Sequence, residues 1–300
     1  MTTRRLGAIF VFEAIAFAWL AFALLDRRAH LRVQSEFGVN QWGYRDEPRG
    51  SKEPGERRVA LIGGSSLFEA KLRHPRTLTG NLFIELRAAG ARAGQQYSVA
   101  NLSEPGARAD SYAETIRHYA FLDPDVICIF DGYDMPTHAP LHGRRQSRMF
   151  RAVGYLPILP EKLLGQPAWL SDPDEGLAEL LQDRPGTSTD ESCASTSADY
   201  CGAMAATVRA GLQYSRAVMV VSPPAVSRRH SRQQQSLREA LGREFGDNPA
   251  FAFLDLGSVM NLADPELSPD GLHRTDIGNH VVAQRIASTL LKWPAFVDRP

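Results

Sequence analysis

Five short apolar runs, set between longer amphipathic stretches, limit this sequence to one class of fold. They occupy 58–62, 97–102, 125–131, 217–222 and 251–256. Each is apolar at successive rather than alternate positions and most are rich in Val and Ile, so a strand formed there must be covered on both faces. The stretches between them carry helical periodicity, at 77–89, 111–121, 198–212, 231–245 and 276–291. Strand and helix in alternation predict an α/β domain, a three-layer parallel sheet with helices on both faces. Ligands to such sheets bind beyond the carboxyl ends of the strands. Gly64-Ser65, Gly106, Gly132-Tyr133-Asp134 and the segment from Asp270 to His273 all follow a strand, where a shared site would form.

Ahead of the first strand, 6–25 is a nearly unbroken apolar stretch, preceded by Arg4-Arg5 and followed by Asp26-Arg27-Arg28. Twenty residues at 1.5 Å each reach about 30 Å, enough to cross a bilayer core. Glu13 costs on the order of 3 kcal/mol at mid-membrane, which the other side chains outweigh. Apolar residues on every face argue against a helix buried in the domain. Bulky and charged residues at Leu24-Leu25-Asp26-Arg27 offer no small-residue cleavage site, so the expectation is an uncleaved anchor at 1–28. Arginines on both flanks leave its orientation weakly determined. A connector at 29–57 then leads to the domain at 58–300.

The 300 residues are 43% hydrophobic, enough for a full core. Thirty-four Lys and Arg balance 34 Asp and Glu, so no overall field points to nucleic acid. Arg144-Arg145-Gln-Ser-Arg148 and Arg228-Arg229-His-Ser-Arg232 are local basic clusters without interleaved aromatics, and read as solvated surface. Cys128 lies inside an apolar run and reads as an inert core thiol. Cys193 and Cys201 flank a Ser/Thr/Asp-rich stretch, either as a small disulfide loop suited to an oxidising compartment or as two free thiols. Seven prolines between Pro136 and Pro185 interrupt the alternation, and 135–197 reads as a lid-like insertion.

Ser65, just after the first strand, pairs with Asp270-Gly-Leu-His273 far downstream. A serine hydroxyl is a poor nucleophile at neutral pH; His273 would take its proton, and Asp270 would fix the imidazole tautomer and stabilise the imidazolium. Ser66 competes for the nucleophile role. A bland reading also exists, with Gly63-Gly64-Ser65-Ser66 a strand-to-helix turn and Asp270 a capping residue. Gly-x-Ser-x-Gly does not occur here, which disfavours the α/β-hydrolase nucleophile elbow. His118 and His280 sit in helical runs and read as surface or core residues. His138 and His142 lack a visible third metal ligand.

Taken in order, these segments resemble the SGNH (GDSL-like) hydrolase family. Gly63-Gly64-Ser65 is similar to its first block, with Gly in place of Asp at the second position. Asn101-Leu-Ser-Glu-Pro-Gly106 resembles the second, Asp131-Gly132-Tyr133-Asp134 falls where the third, Gly-x-Asn, is expected, and Asp270-Gly-Leu-His273 matches the last. Asn40-Gln-Trp-Gly43-Tyr44-Arg45 is similar to a segment of bacterial members that carry an N-terminal anchor. The resemblance covers about 40–291. It implies a flavodoxin-like parallel sheet, a Ser65-His273-Asp270 triad, and an oxyanion site using the Gly106 N–H and position 134, with no cofactor or metal.

The departure lies in the third block. The family's Asn donates a hydrogen bond to the oxyanion, whereas an ionised Asp134 has no proton to donate. Losing one such donor typically costs about 3 to 4 kcal/mol. A carboxyl kept protonated by burial would restore it; a one-residue shift would put Tyr133 at the Asn position instead. The expected function is a serine esterase or deacylase acting on an acylated carbohydrate or lipid, with the membrane as partner through the N-terminal helix and the domain outside the cytoplasm. Its alternatives are an O-acyltransferase, and a catalytically weak or inactive envelope protein that binds a glycan or a partner. The sequence leaves the oligomeric state open.

Overall fold

The computed structural model describes residues 3–69, 72–131, 155, 157–159, 192–194 and 198–297, the side chains of 3–8 excepted. Strands β1 (Glu56–Gly63), β2 (Gln96–Asn101), β3 (Val126–Phe130), β4 (Ala217–Ser222) and β5 (Phe251–Asp255) form one sheet in the order β2-β1-β3-β4-β5, with every pair parallel. This is the flavodoxin-like order. The chain crosses from β1 outward to β2, then returns past β1 to β3, so the crevice where the winding reverses opens at the carboxyl ends of β1 and β3.

The three central strands β1, β3 and β4 are buried along their whole length, as their composition requires, whereas the edge strands β2, at its start, and β5 are only partly covered because each has a neighbour on one side alone. Ala60, Ile62, Ile127, Ile129, Val218 and Val220 point to one side. They pack there on α4 (Ala109–His118), α5 (Ala198–Tyr214) and α6 (Arg228–Phe245). Val59, Leu61, Val126, Cys128, Phe130, Met219 and Val221 point to the other. These meet α3 (Leu78–Ala93) and α7 (Asp276–Leu290). Side chains supply the first hydrogen bonds of three helices: Thr77 accepts from the Gly80 N–H, Ser227 from His230, and Thr275 from Gly278. A short helix, α2 (Ser65–Phe68), follows β1 directly, a 3₁₀ turn (Ala120–Leu122) follows α4, and α8 (Pro294–Val297) closes the described chain.

Helix α1 (Thr3–Phe37) continues well past the apolar stretch. The helix from Ile9 has a mean hydropathy of 2.0 in its most apolar window and is long enough to cross a membrane. Its far end is docked onto the protein. Asp26 is buried and accepts hydrogen bonds from Tyr155 Oη and from the backbone N–H groups of Ile158 and Leu159, the latter two at 2.8 Å. Val33 packs with Ile158 beside it. Beyond the helix, Val39 bridges Arg45, and the Arg45 N–H donates to the Asn101 carbonyl at 3.0 Å. The connector therefore lands at the carboxyl end of β2. Cys193 and Cys201 form a disulfide, while Cys128 is a free thiol in the core. Most of 135–197, including His138 and His142, lies outside the described residues.

Candidate active site

Two glycines place Ser65. Gly63 is in register with Phe130 on β3, and a Cβ on Gly63 would fall 2.4 Å from the Phe130 carbonyl oxygen. A Cβ on Gly64 would fall 2.9 Å from the Ala107 carbonyl oxygen and 3.7 Å from Tyr112 Oη. Any larger residue at 63 would push the strands apart at the crevice. The chain then turns into α2, with the Leu67 and Phe68 N–H groups donating to the Gly64 carbonyl and Glu69 N–H to the Ser65 carbonyl. Ser65 is partly exposed and Ser66 is buried, which separates two serines that the sequence left in competition.

Asp270 and His273 form a self-contained unit. Gly271 between them has φ +78°, a conformation open to glycine and costly for other residues. The resulting tight turn lets Asp270 Oδ1 accept from the Leu272 N–H at 3.0 Å and the His273 N–H at 2.7 Å, while Oδ2 lies 2.6 Å from His273 Nδ1. Partial burial pushes the Asp270 carboxyl up, but the bonds from His273 and Leu272 outweigh it and hold the group below its ordinary range. An ionised Asp270 fixes the tautomer with the proton on Nδ1.

The loop carrying Gly106 is fastened to the end of β2, which it leaves, and to β1. Buried Asn101 accepts through Oδ1 from the Ser103 N–H at 3.0 Å, and the Glu104 N–H donates to the Gly63 carbonyl at 3.2 Å. Gly106 has φ +71°, and the Ala107 N–H donates back to Glu104. Asp131, just past β3, is buried and hydrogen-bonds Tyr112; burial and this carboxylate hold the Tyr112 phenol well above its ordinary range. Asp134 lies outside the described residues.

The Ser65 turn and the His273 loop meet through a contact that the sequence reading missed. Arg274 Nη2 donates to the Ser66 carbonyl at 2.7 Å and lies 3.1 Å from Glu69 Oε1. Neither residue stood out in sequence, because an Arg beside a helix start and a Glu after a short apolar segment are ordinary surface choices. The basic cluster at Arg228 and Arg232 is exposed on the first turns of α6.

No family model matches the chain, and no curated relative does. Among solved structures, a family 3 carbohydrate esterase from Clostridium thermocellum is similar at 12% identity and a TM-score of 0.45, covering 80% of this chain and 95% of that one. TesA is similar at 12% identity and 0.48, covering 80% and 99%. A family two carbohydrate esterase from Clostridium thermocellum in complex with cellohexaose is similar at 10% identity and 0.49, covering 84% and 68%. All three scores lie below 0.5, so the chemistry of the site rests on its own residues.

Proposed function

We propose that this chain is a membrane-anchored serine ester hydrolase of the SGNH type. Ser65 acts as nucleophile, His273 as general base and Asp270 as the group that orients it. The observation that carries the reading is the 2.6 Å contact between Asp270 Oδ2 and His273 Nδ1 in a loop joined to the Ser65 turn. With Nδ1 held by a carboxylate, proton transfer from serine falls to Nε2, and the imidazolium so formed is stabilised by Asp270. The attacked carbonyl becomes an oxyanion, for which the Ser65 and Gly106 N–H groups are the proposed donors.

The proposed substrate is an acylated carbohydrate or lipid close to the bilayer. Support comes from the path of the connector, which carries the chain from α1 to the carboxyl end of β2, the same sheet edge that bears Ser65. The Cys193–Cys201 disulfide favours a compartment outside the cytoplasm. A catalytically weak glycan-binding protein is the second reading, favoured by the carboxylate at Asp134, which would repel an oxyanion if ionised.

A fluorophosphonate distinguishes them. The full chain in detergent should acquire a covalent adduct that Ser65→Ala lacks; a folded protein without a Ser65-dependent adduct would sink the hydrolase reading. Asp134→Asn should raise ester turnover if position 134 faces the oxyanion.

A further inference from the structure

One buried guanidinium spans the separation of more than two hundred residues between the proposed nucleophile and its base. The Arg274 side chain is 1% exposed and its ion-pair partner Glu69 is 5% exposed. Besides its bonds to the Ser66 carbonyl and Glu69, Arg274 donates through Nε to Asn279 Oδ1 at 2.8 Å, and its Cζ lies 4.9 Å from the centre of the Phe130 ring. Glu69 ends α2 with φ +54°, and its Oε2 accepts the Leu78 N–H at 2.7 Å. Asn279 in turn donates to the Arg76 carbonyl at 3.1 Å. The two side chains thus touch α2, the end of β3, the start of α3 and the start of α7.

The stability gained does not by itself account for such a pair. Burying two charges is expensive, and apolar side chains of similar volume often hold a core equally well. What an apolar replacement lacks is direction. Arg274 follows His273 in the chain, and its Nη2 donates to the carbonyl of the residue after Ser65. The turn of Ser65 and the loop of His273 are thus joined by one planar group that is itself held by Glu69, Asn279 and Phe130. Reactivity is steep in the offset between Ser65 and His273, since a misplacement of about 1 Å can cost on the order of 100-fold in rate. We propose that Arg274, held by Glu69, is a positioning residue that sets the geometry of Ser65 against His273. The proposal rests on the serine hydrolase reading of the site.

The test uses the full chain in detergent and separates the maximal rate of fluorophosphonate attack on Ser65 from the probe concentration that half-saturates it. Folding of each variant is checked by circular dichroism and thermal melting, and labelling is measured well below every melting temperature. Arg274→Met should lower the maximal labelling rate by roughly 10- to 100-fold, with less than about a threefold change in half-saturation. Arg274→Lys, which can reach the Ser66 carbonyl or Glu69 but not as a fork, should fall between. Added guanidinium ion at millimolar concentration should restore part of the rate in Arg274→Ala. Glu69→Gln keeps the size of the partner and should give a smaller loss of the same kind.

A folded Arg274→Lys and Glu69→Gln that label at the wild-type rate, even with lowered melting temperatures, would overturn the positioning role and leave the hydrolase reading standing. Should Arg274→Met fail to fold, those two variants decide the question. A wild-type chain that takes no Ser65-dependent label removes the reading and the proposal together.

Discussion

Asp270 holds His273 from two directions, with Oδ2 at 2.6 Å from the ring Nδ1 and Oδ1 accepting the backbone N–H of the same residue at 2.7 Å. One carboxylate therefore sets both where the imidazole starts and how it is turned. Asp270→Asn keeps the volume but can donate to Nδ1, which favours the wrong tautomer. Labelling or ester turnover should fall on the order of a thousand- to ten-thousand-fold with the fold intact.

The same bonds make a prediction about pH. Asp270 has a depressed pKa in the folded protein. Such a carboxylate adds stability above its unfolded pKa of roughly 4, and that contribution disappears as pH falls through the lower folded value. The gap in melting temperature between the wild type and Asp270→Asn should be level above about pH 5 and should narrow below about pH 4. A gap that widens toward acid would show that the carboxylate is not stabilised as its bonds imply.

Gly63→Ala should destabilise the domain by about 1 to 3 kcal/mol, because the added carbon would sit 2.4 Å from a backbone oxygen in the neighbouring strand. Urea denaturation measures it as a lowered midpoint. Gly64→Ala meets the Ala107 oxygen at 2.9 Å, in a loop that yields more readily than a central strand. Its loss should appear more in Ser65 labelling than in stability.

Truncation separates the two halves of α1. Deleting residues through Leu25 should release the protein from membranes with little change in melting temperature. Deleting through Phe37 also removes Asp26, the acceptor of the Ile158 and Leu159 N–H groups, along with the buried Val33. That form should melt at a clearly lower temperature. Equal melting of both truncations would contradict the docking of this helix.

Thiol counting by alkylation and mass spectrometry should give no labelled cysteine in the native protein, one after denaturation without reductant, and three after reduction. Burial pushes the Cys128 thiol up to about 12, so it has little thiolate to react. Cys193 and Cys201 are paired.

Strand and helix order could be read directly from the chain, because the central strands are buried on both faces and are apolar over most of their length. The run 217–222 matches β4 to the residue. The Asp270 to His273 unit was equally legible, since its bonds close within four residues around a glycine. Helix α1 was only half visible: apolarity marks the exposed stretch long enough to cross a membrane, whereas 26–37 is helical with a polar sequence whose buried Asp26 and Val33 depend on distant partners. Arg274 and Glu69 were invisible for the same reason. A charged residue in sequence reads as surface, and burial of this pair depends on α2 and the start of α7 meeting over Phe130 after the sheet has wound in both directions. Local spacing dictates what one turn of chain can do, while the approach of Ser65's turn to His273's loop is a property of strand order, which no window of residues contains.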